Sequence, residues 1–252
     1  MEMRGVMGGF YKISEWIMRL SVTNVLWLIC SLPFVFFIFT TLFSENVDQL
    51  YSGLFISAVV APFTLFPATA AMFTVARKWV MGEVDVPLFR TFFRGYKENY
   101  VQSMVGGILY ALLFVILIID FRVYLNGMTS LQLISYVFLG LMFVLAVSLF
   151  NFFSMVVHYH MKTLQLIKNA ILITIGKPLR SLSTLIMAAV VVYISTKFTF
   201  LIPFFMGSVI AYLSFWNFYI IYQKIQEQAE KAVKAEEEAA LENGEDRTEE
   251  SK

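Results

Sequence analysis

Residues 66–73 read Phe-Pro-Ala-Thr-Ala-Ala-Met-Phe, and the basic pair Arg77-Lys78 follows. The stretch closes an apolar run over 51–75 and carries a proline and several small residues. A run of that length and hydropathy predicts a helix that crosses a bilayer, because about 20 apolar residues span the hydrocarbon core. Small residues at four-residue spacing let helix backbones approach closely, since lipid offers no hydrophobic drive for association. Gly53, Ser57 and Ala61 have that spacing, then Thr64 and Ala68, and Ala70 with Thr74 gives another such pair; Pro67 and Thr69 lie among them. Pro62 and Pro67 predict a kinked helix, and carbonyls freed by a kink need partners from neighbouring helices, Thr69 or water. Gly53, Ser57, Ala61, Pro67, Ala68, Thr69 and Ala70 are therefore expected at a helix crossing inside a bundle. The alternative is a subunit interface in a homo-oligomer, or a bend that faces a substrate.

The whole chain agrees with a membrane setting. Of its 252 residues 59% are hydrophobic and 15% charged, with 26 Phe; soluble domains average about 45–50% apolar and about 25% charged. Six spans are predicted, near 22–43, 51–75, 101–121, 131–157, 182–197 and 199–222. Long runs without period-2 alternation exclude a membrane β-barrel. The fold class is all-α, a polytopic bundle over 1–222 with a tail over 223–252. Residues 1–20 lack the short apolar core and cleavage site of a signal peptide, so the first span is expected to stay as an anchor.

Charge sets the orientation. Seventeen of the 19 Lys/Arg fall before span one, between spans two and three, between four and five, or after six. Arg122 and Lys197 are the two on the other side. The positive-inside rule then places both termini in the cytoplasm. An odd number of spans would divide the basic residues between the two sides. Residues 1–224 are net +7 and 225–252 net −6, so a basic body ends in an acidic tail. The tail is expected to be helical at first, with Glu227–Lys231 and Glu230–Lys234 in favourable order, and disordered past Asn243-Gly244.

Two inner loops carry periodic segments. Phe89, Phe92, Phe93 and Tyr96 fall at i, i+3, i+4 and i+7, while Arg90, Arg94 and Lys97 fall on another stripe. Asp85 and Pro87 are start signals. An aromatic face beside a basic one suits an amphipathic helix at the cytoplasmic interface. It serves either as an anchor or as a docking surface for a partner, with Phe89, Arg90, Phe92, Phe93, Arg94 and Tyr96 as contacts. Leu164, Ile167 and Ile171 predict a second such helix, with Pro178 ending it.

Motifs for chemistry are sparse. There is no P-loop and no Gly-x-Ser-x-Gly elbow. His158 and His160, two residues apart, diverge on a helix and suit no shared metal. The single Cys30 in an apolar segment is a small buried hydrophobe. Asp120 and Arg122 mark the outer end of span three, as a surface ion pair or a polar site for sugar or a proton. Asn24, Asn151 and Asn217 are placed to bond between helices. Few ionisable groups lie within the spans, which disfavours an ion-coupled carrier. The basic residues follow the inner membrane edge, so nucleic acid is not an expected partner, and no cofactor or enzymatic activity is expected.

Several stretches together resemble one family. They are Asn24-Val25-Leu26-Trp27, Phe66 to Phe73, Arg77-Lys78-Trp79, Gly82-Glu83, Phe92-Phe93, Asp120-Phe121-Arg122, Gly207-Ser208 and Ala211-Tyr212-Leu213. Over about residues 10–225 the chain resembles the YesL family of bacterial integral membrane proteins, most specifically in Pro-Ala-Thr-Ala-Ala followed by Arg-Lys. The resemblance implies a bacterial plasma membrane, and a genetic neighbourhood of oligosaccharide uptake and degradation with carbohydrate ABC transporters and sensor kinases. It supplies no catalytic residue. The expected role is an accessory or scaffold component bound to an ABC permease or sensor kinase. The alternative is a small oligosaccharide carrier or channel acting alone.

Overall fold

The computed structural model describes residues 6–127 and 132–249. Arg4, residues 128–131 between the predicted third and fourth spans and at the start of the fourth, and residues 250–252 of the tail lie outside the described residues. The described residues form nine α-helices in order: α1 Val6–Cys30, α2 Leu32–Leu42, α3 Val47–Val60, α4 Leu65–Val80, α5 Leu88–Gly127, α6 Gln132–His158, α7 Thr163–Gly176, α8 Pro178–Lys197 and α9 Gly207–Glu249. A π turn, Ile202–Met206, leads into α9. The described residues contain no strand. Five helices are long and apolar enough to cross a bilayer, and a sixth span arises if the bent pair α3–α4 is counted as one. The chain is a multi-pass helical membrane protein.

The predicted first span is divided. α1 begins near the N-terminus, its apolar window is Gly9–Cys30, and the chain breaks at Ser31 before α2. Pro33 explains the break, because its ring and missing N–H cannot continue the α1 ladder but fit the first turn of a new helix. α2 then pairs with α3 as a hairpin. Ala61–Thr64 separate α3 from α4, which are bent by 53°. Only Pro62 sits at this break; Pro67 lies in the first turn of α4, where a missing N–H costs nothing. The break is well satisfied. Phe66 N–H donates to Ala61 O at 3.0 Å, and Tyr100 Oη–H from α5 donates to Phe63 O at 3.2 Å.

α5 corrects a second expectation. The segment over 88–97 and the third span form one uninterrupted 40-residue helix, about 60 Å long by the usual rise per residue. Nothing between Lys97 and Val101 breaks helix, and Asn99 Nδ2–H donates to Gly95 O at 2.9 Å across one turn. α7 also differs from a free interfacial helix. It buries Leu166, Ile167, Ala170 and Thr174 against the bundle and leaves Leu164 exposed. Pro178 starts α8 in addition to following α7. α9 runs through Gly244 to Glu249, over residues expected to be disordered past Asn243-Gly244. One glycine costs about 1 kcal/mol in a helix, too little to stop a segment rich in Ala, Glu and Lys.

The buried core lies towards one end of the bundle. α4 is its axis: Ala68, Ala70, Ala71 and Val75 are wholly buried, and Met72, Phe73, Ala76 and Trp79 nearly so. Around it pack Phe92 and Tyr110 of α5, Phe152, Met155 and Val156 of α6, Leu166 of α7, and Ala211, Phe215 and Phe218 of α9. We call this the basic end, because Arg77, Lys78, Arg90 and Arg94 lie there. The opposite halves of α2, α3, α5 and α6 present Phe39, Phe55, Ile116, Ile119 and Phe143 outward, the lipid-facing dress of a bundle in hydrocarbon.

Candidate functional site

The predicted packing residues divide between two crossings. Gly53 and Ser57 line the α2–α3 hairpin. A Cβ at Gly53 would come within 2.1 Å of Thr41 Oγ1, so only glycine permits that approach. Ser57 is buried, donating to Gly53 O at 2.8 Å, and Ala61 is buried at the break. Pro67, Ala68 and Ala70 are buried on α4. Thr69 Oγ1 accepts from Trp27 Nε1–H at 3.0 Å and donates to Leu65 O at 2.7 Å, tying α1 to α4. The sequence reading missed the partner face on α5. A Cβ at Gly95 would lie 2.5 Å from Thr74 Oγ1, and one at Gly106 2.1 Å from Phe152 Cζ. The Gly106-Gly107 doublet inside an apolar span was the available signal, since glycine in a transmembrane helix marks close approach.

The three asparagines bond across helices. Asn24, wholly buried, donates from Nδ2 to Ile202 O at 3.0 Å and Pro203 O at 2.7 Å. Its Oδ1 accepts from Ser208 N–H at 3.0 Å. One side chain thus satisfies backbone groups that the π turn displaces from α-helical pairing. Asn151 Nδ2–H donates to Thr174 Oγ1 at 2.9 Å. Asn217 Nδ2–H donates to Arg180 O and to Thr184 Oγ1, each at 2.6 Å.

The basic end holds a cleft of 770 Å³ between the C-terminal turns of α4, the N-terminal half of α5 and the end of α6. Local structure explains its shape. α4 ends in a Schellman turn: Glu83 N–H donates to Lys78 O at 2.9 Å and Gly82 N–H to Trp79 O at 3.1 Å, with Gly82 at φ 92°. A positive φ there favours glycine. The turn swings Glu83 back to Lys78, Nζ to Oε2 2.8 Å. Arg94 pairs with Glu98 at 2.8 Å. Arg77 Nη1–H donates to Val157 O at 2.8 Å, joining α4 to α6. Outside the cleft, buried Arg19 holds Glu15 on its own helix and Asp85 on the loop before α5. The Asp85 contact ties α1 to the loop that precedes α5.

The aromatic stripe of α5 is divided by the fold. Phe92 is 0% exposed in the core, while Phe89 and Phe93 are 61% and 50% exposed. Tyr96 is half-buried against the core and next to Tyr100. Arg90 and Arg94 line the cleft. Phe92 is therefore an anchor of the helix and not a free contact, because the packing of α4 against α5 covers its edge of the stripe. At the other end Arg122 lies over the Tyr51 ring, 5.7 Å from its centroid, and Asp120 is half-buried. These two form no ion pair; residues two apart on a helix face different ways. His158 packs among Tyr159, Phe215 and Tyr222, with a 4.5 Å centroid distance to the last. His160 instead lines the cleft. Among the described residues no three His, Cys, Asp or Glu are grouped to hold a metal ion.

Comparison with known proteins places the chain among relatives. The family model described as "Protein of unknown function, DUF624" matches residues 20–121, from α1 into α5. "Uncharacterized protein YteU" of Bacillus subtilis (strain 168) is 28% identical, covering 90% of this chain and 91% of the relative. "Uncharacterized protein YesL" of the same strain is 30% identical over 82% of this chain and 86% of the relative. "Uncharacterized protein YesV" is 32% identical over 55% and 67%. No solved structure matches.

Proposed function

The chain belongs to the YesL family, and from that premise we propose that it is a non-enzymatic accessory or scaffold component of a larger assembly in the bacterial plasma membrane. Its partner is the permease of a carbohydrate ABC importer or an associated sensor kinase, an assignment that rests on the family resemblance. In this reading both termini and the basic end face the cytoplasm, which the distribution of Lys and Arg supports.

One observation carries the docking reading. α5 has 40 residues, about twice what one crossing needs. Its extra turns at the basic end are held rigid by buried Phe92 and present Phe89 and Phe93 outward. A pre-organised aromatic edge beside arginines has the composition of an interface hot spot. It loses little conformational freedom on binding.

A carrier acting alone is the second reading. The 53° break and the π turn are similar in kind to the discontinuous helices of transporters. In this chain the backbone groups at both features have protein partners, which favours a fixed brace over a substrate seat.

The test is purification from the native host in mild detergent after gentle crosslinking, with mass spectrometry of what accompanies the protein. A permease or sensor kinase in near-equal amount, lost from Phe93→Asp, supports the accessory role. The protein alone, together with oligosaccharide flux in reconstituted vesicles, would overturn it in favour of the carrier.

A further inference from the structure

We infer that the cleft at the basic end is an anion site built for a phosphate group. The inference does not rest on the partner assignment above. It begins with a charge count. The cleft is lined by Arg77, Lys78, Arg90 and Arg94, and by two carboxylates, Glu83 and Glu98. Each carboxylate is taken by a cation, Glu83 by Lys78 and Glu98 by Arg94. Arg77 and Arg90 have no carboxylate partner among the described residues. Two arginines that line one cavity therefore carry charge that no described carboxylate compensates.

One donor of the set is also unmatched. Arg77 is fixed by its bond to Val157 O, yet its Nε–H is buried without an acceptor. A buried donor left unmade costs about 1–3 kcal/mol, and such an orphan calls for a physical reason. The N-terminal turn of α5 borders the same space through Pro87, Arg90 and Thr91. Thr91 N–H bonds Pro87 O at 2.9 Å, while the preceding amides of the first turn have no intrahelical acceptor. Of these residues Arg90 lines the cleft, and the positive end of the helix dipole favours an anion.

Phosphate fits this set better than carboxylate. Guanidinium forks match both groups in shape, but the uncompensated charge of two suits a phosphate monoester, which carries close to two negative charges at neutral pH. A carboxylate or a diester neutralises one. The phosphate can be borne by a lipid headgroup of the inner leaflet or by a soluble compound, and the chemistry of recognition is the same.

The test uses the purified full chain in a non-ionic detergent, comparing wild type, Arg90→Gln and, as a control outside the cleft, Lys168→Gln. Arg90 and Lys168 are exposed, so both variants keep the fold. Thermal unfolding is followed with inorganic phosphate against chloride at equal ionic strength. Binding of phosphatidic acid, phosphatidylglycerol and phosphatidylcholine is counted by native mass spectrometry. The expected result is stabilisation by phosphate over chloride, or retention of phosphatidic acid over both other lipids. Arg90→Gln should bind about tenfold more weakly, and Lys168→Gln should match wild type. Response to inorganic phosphate assigns a soluble ligand as sufficient; response to phosphatidic acid alone assigns the lipid. Two results overturn the inference: no preference for phosphate in either arm, or equal binding by Arg90→Gln and wild type.

Discussion

Replacing Asn24 by Ala should destabilise the bundle well beyond a surface change. Asn24 is wholly buried and joins α1 to the π turn and to α9 through three hydrogen bonds of 2.7–3.0 Å. Each buried bond contributes about 1 kcal/mol net, or about 0.6 kcal/mol on the average measured within membranes. Three bonds give about 2–3 kcal/mol. The orphaned Ser208 N–H adds to that, because no water reaches it. Asn24→Asp sharpens the argument. It keeps an acceptor for Ser208 N–H but turns a second oxygen towards Ile202 O and Pro203 O, so it should be at least as damaging as Ala. The assay is equilibrium unfolding in mixed micelles, read by tryptophan fluorescence, with Asn169→Ala on α7 as a control. A loss under about 0.5 kcal/mol, the level of a neutral surface change, would refute the reasoning. So would an Asp variant more stable than the Ala variant.

Two further predictions concern packing. Gly106→Ala places a methyl 2.1 Å from the ring of fully buried Phe152 and should cost about 1–3 kcal/mol by overpacking. Gly9→Ala, with nothing within 4 Å, should not destabilise; Phe152→Leu in the double variant should recover part of the loss, as melting temperatures would show. Phe92→Asp buries an unpaired carboxylate and should abolish folded protein in size-exclusion profiles, whereas Phe93→Asp, half exposed, should elute as wild type.

Particular residues show what the sequence could and could not disclose. The apolar runs of α6 and α8 are readable within a few residues, because hydropathy alone decides membrane residence. The break before α2 is not, although Pro33 marks it, since the hydropathy stays high on both sides. The start of α5 is legible from Asp85 and Pro87, but the merger of its basic segment with the third span is not. An amphipathic stripe records which side faces water or core, not whether the helix continues. Phe92 and Phe93 are adjacent in sequence, and only the position of α4 decides which is buried. Burial cost places the three asparagines between helices, and there they bond. The cleft could not be read at all. It joins residues 74–102 to 156–160, and no local pattern encodes that meeting. By sequence alone Arg77 is one more topological charge; the fold gives it Val157 as a partner.

Both the docking edge and the phosphate cleft require the basic end to face the cytoplasm. The direct measurement is labelling of single cysteines in intact cells with a membrane-impermeant maleimide, in a Cys30→Ser background. Arg90→Cys reports the basic end, and Glu45→Cys the exposed loop between α2 and α3. The account predicts labelling at position 45 before lysis and at position 90 only after it. Labelling of position 90 in intact cells would contradict it.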